Sequence, residues 1–127
     1  MLALGAKPRI LIVEDEFLVR LTLAEALADE GFDVIEAGSG DEALPLLEAD
    51  LTIILLLTDI QLPGKLNGLS LVRLARQARP DLPAIFMTGR PDTMAGSTVS
   101  ERDAFIAKPY LPSEVAAEVR RLTASEA

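Results

Sequence analysis

Charged and hydroxyl side chains follow four hydrophobic runs of this chain, each at the point where a predicted β-strand ends. These side chains are Glu14 and Asp15, then Asp59, Thr88 and Lys108. In a parallel α/β sheet the strands end at one edge, and ligands bind in the crevice there. Three carboxylates, a hydroxyl and an ammonium in one cleft can hold a divalent cation, accept a phosphoryl group on a carboxylate and stabilise the product.

Strand-like runs alternate with helical patterns along the chain, which predicts a parallel sheet covered by helices. The runs span residues 9–13, 34–36, 53–58, 84–87 and 104–107. The second run is short and is typical of an edge strand. The third is apolar without alternation, which indicates a central strand that is buried on both faces.

Helical spacing predicts which side chains pack on the sheet. The first helix should bury a face that includes Phe17, Leu18, Ala24 and Leu27, and Gly31 should cap its end. The third helix should begin at Asn67 or Gly68. The last should begin at Pro112 and bury four apolar residues, Val115, Ala116, Val119 and Leu122. Residues 91–102 form a poor helix with no clear apolar stripe.

Length and composition restrict the class of protein. The chain has 127 residues, half of them apolar, which predicts one domain over residues 1–127 with a core at about 9–122 and no output domain. A net charge of -8 argues against direct binding to nucleic acid or anionic membranes. Cysteine and histidine are absent. The apolar run near 51–57 is too short to span a bilayer, and no signal peptide is evident, so a cytoplasmic protein is expected.

Each polar residue, taken singly, also has an ordinary structural explanation. Asp15 could cap a helix, Asp59 and Thr88 could stabilise turns, and Lys108 could be a surface lysine. The conjunction of these types at successive strand ends is what favours a functional site.

The chain closely resembles the receiver domain of bacterial two-component response regulators. The resemblance covers residues 9–122 and rests on five segments: ILIVEDE (10–16), LLLTDIQLPG (55–64), NGL (67–69), FMTGR (86–90) and FIAKPY (105–110). It implies an α/β, flavodoxin-like (βα)5 fold, with a doubly wound, parallel five-stranded sheet in strand order 2-1-3-4-5. It also implies that the chain takes a phosphoryl group from a sensor histidine kinase or a histidine phosphotransfer protein, and is not an enzyme with a separate substrate.

The same resemblance assigns the chemistry to individual residues. Asp59 is the phosphoacceptor in this interpretation. Mg²⁺ is held by Glu14, Asp15, Asp59 and the backbone carbonyl of Gln61, with Asp15 and Asp59 as direct ligands. Lys108 pairs with the phosphoryl oxygens.

The resemblance also implies a switch. The Thr88 hydroxyl bonds to the phosphoryl group, and Phe105 follows it inward; the alternative is that Phe105 is merely core. The Lys108-Pro109 peptide bond is expected to be cis. A downstream protein, whose identity is unknown, would bind the face that the fourth helix, fifth strand and fifth helix form (α4-β5-α5). The chain is expected to be a monomer or a weak, phosphorylation-dependent dimer.

The sequence departs from the commonest receiver pattern in the loop between Asp59 and Gly68, which is one residue longer. The FMTGR segment partly resembles the Phe-Ala-Thr-Gly subgroup of alphaproteobacterial receivers, although Met87 replaces the alanine and Pro91 follows Arg90.

Three other functions fit the sequence less well. A haloacid-dehalogenase-type phosphatase needs a second aspartate two residues after the first, where this chain has Gln61. A nucleotide-binding Rossmann domain needs a glycine-rich turn where this chain has three acidic residues, 14–16. A degenerate receiver that binds partners without phosphorylation would usually have lost Asp59, Lys108 or an acid, and all of these are present.

Overall fold

The computed structural model describes residues 8–90 and 101–124. This part of the chain contains five strands: β1 (Arg9–Val13), β2 (Asp33–Ala37), β3 (Ile53–Asp59), β4 (Ala84–Thr88) and β5 (Asp103–Ala107). It also contains four helices: α1 (Phe17–Asp29), α2 (Gly40–Ala49), α3 (Gly68–Ala78) and α4 (Pro112–Thr123). The prediction of a poor helix over 91–102 falls mostly on residues 91–100, which lie outside the described residues.

The five strands form one sheet in the order β2-β1-β3-β4-β5. Every neighbouring pair is parallel. The predicted fold class and strand order are therefore confirmed. The central position of β3 agrees with its unbroken apolar sequence, and β2 is an edge strand as predicted.

The sheet buries a separate apolar layer on each face, because successive side chains of a strand point to opposite sides. Ile10, Ile12, Leu55 and Leu57 pack in the layer that α1 and α4 cover. The intervening Leu11, Val13 and Leu56 pack in the layer that α2 and α3 cover. The predicted buried face of the last helix is confirmed over four residues, Val115, Ala116, Val119 and Leu122. This two-layer core holds the carboxyl ends of the strands at one rigid edge.

The buried face of α1 differs in part from the prediction. Ala24 and Leu27 are buried as expected, together with Leu23. Phe17 and Leu18, which were expected to face the sheet, are 60% and 73% exposed. Apolar side chains surround most of this helix, so periodicity alone does not fix its rotation against the sheet.

Two predicted helix ends are confirmed. Gly31 adopts a φ of 96° after α1, and the Phe32 N–H donates to the Leu27 carbonyl at 3.2 Å, as in a Schellman cap. At the start of α3, the Asn67 side chain accepts a hydrogen bond from the Ser70 N–H at 2.8 Å.

The loop that follows β3 is tied to the sheet and to α2. The Gly68 N–H donates to the Ile60 carbonyl at 2.8 Å. The Asp41 carboxylate accepts from the N–H groups of Lys65 at 3.2 Å and Leu66 at 3.1 Å. A Cβ on Gly68 would lie only 2.2 Å from the Asp59 carbonyl oxygen, which makes this glycine a steric requirement.

We expect Gly68→Ala to lower the free energy of unfolding by about 3 kcal/mol, the upper end of overpacking costs, because backbone must move to admit the methyl group. Urea denaturation would measure this. Gly89→Ala is the matched control, since a Cβ there meets nothing within 4 Å, and should change stability by less than about 0.5 kcal/mol. Equal denaturation midpoints for the two variants would contradict the steric argument.

Candidate functional site

Backbone hydrogen bonds extend the strand pairing past the strand ends and fix the residues that follow. The Glu14 N–H donates to the Ala37 carbonyl at 3.1 Å, and the Lys108 N–H donates to the Thr88 carbonyl at 2.7 Å. Asp59 lies opposite Met87 in the β3–β4 register. The polar side chains are therefore held by the sheet itself.

Three carboxylates meet at this edge. One oxygen each from Glu14, Asp15 and Asp59 can be chosen so that all lie within 4.8 Å of one another. Glu14 is 1% and Asp59 is 4% exposed, whereas Asp15 is on the surface. Burial of like charges at this separation is unfavourable without a cation or proton between them.

The Lys108 ammonium supplies one positive charge to this cluster. Its Nζ lies 2.8 Å from Asp59 Oδ2 and 3.8 Å from Glu14 Oε2. Burial opposes the charge on Lys108, but the hydrogen bond to Asp59 and the two carboxylates outweigh it and raise the pKa of the ammonium. The Lys108-Pro109 peptide bond is cis, as predicted.

The environment of the pocket changes the pKa of the Glu14 carboxyl group. Burial, followed by the neighbouring Asp59 carboxylate, which would accept a hydrogen bond from protonated Glu14 and repels its charged form, raises the pKa of Glu14 from 4.5 to about 8. The Glu16 N–H, which donates to Glu14 Oε1 at 3.2 Å, and the Lys108 charge oppose this rise. Glu14 therefore takes up a proton near neutral pH when no cation is bound.

The donor set fits a hard divalent cation. Within the described residues, Glu14 Oε2 and Asp59 Oδ1 are buried oxygens without a hydrogen-bond partner. Carboxylate oxygens are the ligands that Mg²⁺ prefers, and a cation here would satisfy both atoms. The acidic pocket can therefore hold Mg²⁺. Asp15 and Gln61 line a depression of about 480 Å³ beside it.

Thr88 is near the pocket but its hydroxyl is engaged elsewhere. The Thr88 Oγ1 donates to Gln61 Oε1 at 3.0 Å and accepts from the Arg90 N–H at 2.9 Å. The side chain is completely buried. The structure thus brings Asp59 and Lys108 into contact, whereas the Thr88 hydroxyl is hydrogen-bonded to Gln61.

Phe105 lies on β5 and is half-buried. Its ring stacks on Phe86, with ring centroids 5.0 Å apart and planes inclined by 19°. It packs against the apolar layer that α2 and α3 cover. The position agrees with both interpretations of Phe105, as a core residue and as a switch residue.

Three supporting contacts in the structure could not be predicted from the sequence. Gln61 was expected to contribute its backbone carbonyl, yet its side-chain oxygen also accepts a hydrogen bond from the Thr88 hydroxyl. The Arg20 guanidinium donates to the Glu14 carbonyl at 2.8 Å and to Glu36 at 2.9 Å, which steadies the first acidic residue. Asp41 ties down the loop after β3. No residue spacing marks such contacts.

The family model for the response regulator receiver domain matches residues 10–120. The chain belongs to this family. None of the helices in residues 8–90 and 101–124 is long and apolar enough to cross a membrane.

Relatives and solved structures agree with this assignment. The receiver domain is 41% identical over 119 residues to the aerobic respiration control protein ArcA of Escherichia coli K12, covering 91% of this chain and 48% of that protein. The chain thus spans about half the length of the curated relatives it matches. A response regulator receiver protein from Sinorhizobium medicae is 25% identical with a TM-score of 0.88, covering 98% of this chain and 100% of that one.

The structure of a third similar protein was solved as a complex. The response regulator TrrA of Thermotoga maritima, in complex with Mg(2+)-BeF, is 29% identical with a TM-score of 0.79; the match covers 92% of this chain and 99% of that one. The predicted family is confirmed, whereas membership of the Phe-Ala-Thr-Gly subgroup stays a prediction.

The raised pKa of Glu14 predicts how the stability of the metal-free receiver domain depends on pH. Between 4.5 and about 8 the native state binds more protons at Glu14 than the unfolded state does. The free energy of unfolding should therefore fall as pH rises through this interval, by at most ~1.4 kcal/mol per pH unit. Urea denaturation in the presence of a chelator would measure the decline.

Matched variants isolate the group responsible. Glu14→Gln should flatten this part of the profile, whereas Glu16→Gln, which removes the same charge from the exposed neighbour, should keep it. Saturating Mg²⁺ should reduce the decline because the cation takes the place of the proton. A decline that persisted in Glu14→Gln would assign the proton to another group.

Proposed function

We propose that this receiver domain is the phosphoacceptor of a two-component or phosphorelay system. It takes a phosphoryl group onto Asp59 from the phosphohistidine of a sensor histidine kinase or a histidine phosphotransfer protein. The observation that carries the proposal is the state of the Asp59 carboxylate: Oδ2 is held by the Lys108 ammonium at 2.8 Å, and Oδ1 is buried beside two further carboxylates without a hydrogen bond.

The transfer itself requires little from the protein beyond placement and charge. A carboxylate oxygen of Asp59 attacks phosphorus, the O–P bond forms as the P–N bond to the donor imidazole breaks, and the imidazole nitrogen keeps the electron pair. Lys108 already contacts Asp59 and would neutralise the phosphoryl oxygens. Thr88 would donate its hydroxyl hydrogen to another of them.

Glu14, Asp15, Asp59 and the Gln61 backbone carbonyl would hold Mg²⁺ in this proposal. When bound, the cation neutralises charge on the transferred group. Exposed Asp15 would hold the cation together with Asp59, whereas buried Glu14 would have to release its proton to do so.

The alternative is a degenerate receiver that binds partners without phosphorylation. The contact between Lys108 and Asp59 favours the phosphoacceptor. Buried carboxylates that repel each other destabilise a fold, and a purely structural module gains nothing from them. A phosphatase with a separate substrate is disfavoured, since the Gln61 amide cannot serve as a general acid and is bonded to Thr88. The domain would instead assist only its own phosphorylation and dephosphorylation.

Partner binding is proposed to change on the face that β5 and α4 form with the segment between β4 and β5, which corresponds to the fourth helix, fifth strand and fifth helix of the family. Thr88 and Phe105 would act as the switch residues. The downstream partner would be a protein of unknown identity, because a net charge of -8 disfavours direct contact with nucleic acid. We place the domain in the cytoplasm, as a monomer or a weak phosphorylation-dependent dimer.

Incubation with Mg²⁺ and acetyl phosphate should add one phosphoryl group, detected by intact mass and labile to hydroxylamine. Asp59→Asn should show no adduct, because the attacking carboxylate is gone. Asp29→Asn, an exposed aspartate at the end of α1, should be phosphorylated like the parent protein. An adduct that resisted hydroxylamine, or that survived in Asp59→Asn, would refute this assignment.

Beryllofluoride, a phosphoryl mimic, should alter amide exchange most between residues 91 and 105 if the proposed face carries the signal. Residues 91–100 of this interval lie outside the described residues, so only the exchange of residues 101–105 can be related to the structure. The main change should not fall in α1 or α2. Unchanged exchange in residues 91–105 with a large change in those helices would place the partner surface on α1 or α2 instead.

A further inference from the structure

The Thr88 hydroxyl has a single hydrogen, and that hydrogen is already in use. It is donated to Gln61 Oε1 at 3.0 Å. The same oxygen accepts from the Arg90 N–H at 2.9 Å, which leaves the hydroxyl well oriented toward Gln61. Because a hydroxyl donates one hydrogen bond, Thr88 cannot bond a phosphoryl oxygen and Gln61 at the same time.

Gln61 is well placed to hold this hydroxyl. Its neighbour Ile60 is fixed from both sides: the Ile60 N–H donates to the Met87 carbonyl at 2.9 Å, and the Ile60 carbonyl accepts from the Gly68 N–H at 2.8 Å. The Gln61 backbone therefore begins from a rigid point. Its side chain spans from the end of β3 to the end of β4, while the residue itself is exposed.

We propose that Gln61 is a positioning residue that holds the Thr88 hydroxyl away from Asp59 until a phosphoryl group arrives. The inference rests on the proposed function, since it concerns the residue that competes with the phosphoryl group for the Thr88 hydrogen. Activation then includes an exchange of hydrogen bonds: the O–H···O bond to Gln61 breaks, and an O–H···O bond to a phosphoryl oxygen forms.

This competition predicts a gain when the acceptor is removed. Gln61→Met keeps the length of the side chain but has no amide oxygen. The Thr88 hydroxyl is then free of its competitor, so affinity for Mg²⁺–beryllofluoride should rise by roughly fivefold, the size of one ordinary hydrogen bond. Gln77→Met, the same substitution at an exposed position of α3, should leave the affinity unchanged.

A double-mutant cycle tests whether the gain passes through Thr88. Calorimetric titration with beryllofluoride at saturating Mg²⁺ would compare the parent, Gln61→Met, Thr88→Ala and the double variant. Gln61→Met should raise affinity in the parent and have no effect in the Thr88→Ala background. An equal gain in both backgrounds would mean that Gln61 acts by restricting access, and no gain in either would also overturn the proposal.

A second measurement needs no phosphoryl mimic. The methyl group of Thr88, observed by NMR in metal-free protein, should become more mobile or change shift in Gln61→Met and stay unchanged in Gln77→Met. An unaltered methyl signal in Gln61→Met would overturn the inference even if phosphotransfer proceeds. Failure of the parent to bind beryllofluoride or accept a phosphoryl group, with the methyl result as expected, would instead overturn the proposed function.

Discussion

The structure of this receiver domain depends on one electrostatic constraint: two buried carboxylates share a single lysine. Glu14 and Asp59 are almost completely enclosed, and the Lys108 ammonium contacts both of them. Such an arrangement is unfavourable unless a proton or a cation makes up the missing charge. The raised pKa of Glu14 is the visible result. Backbone contacts at the sheet edge hold the residues that carry these three groups in place.

The backbone provides that restraint at each strand end. Residues after β1 and β5 continue the ladder by one hydrogen bond each, so the backbone at Glu14 and Lys108 stays in line with the sheet. After β3, the tight approach of Gly68 and the Asp41 side chain hold the loop in place. With the backbone fixed in this way, the carboxylates of Glu14 and Asp59 stay close despite their repulsion. The pocket is therefore already formed before a cation binds.

Much of this fold could be predicted from the sequence because strands, caps and the last helix leave local patterns. The unbroken apolar run of β3 implied a central strand, and the spacing after Pro112 implied the buried face of α4. The rotation of α1 could not be predicted, because apolar residues occur on nearly every side of it. Five candidate site residues followed from their positions at strand ends, whereas their roles, and the choice of Gln61 and Phe105, rested on the family resemblance. The contact from Gln61 to Thr88 joins residues 27 positions apart, and such contacts depend on tertiary structure alone.

The two groups expected to hold a phosphoryl group are constrained differently before it arrives. Lys108 is bonded to Asp59, the residue that would carry the phosphoryl group, so it is already in position. Thr88 is bonded to Gln61 and must change partner. In the proposed mechanism, charge neutralisation is therefore preorganised at the end of β5, and the exchange of hydrogen bonds begins at the end of β4. A site built in this way can bind its reactants with little rearrangement and still report the reaction, because Thr88 exchanges its hydrogen-bond partner while Lys108 stays in place.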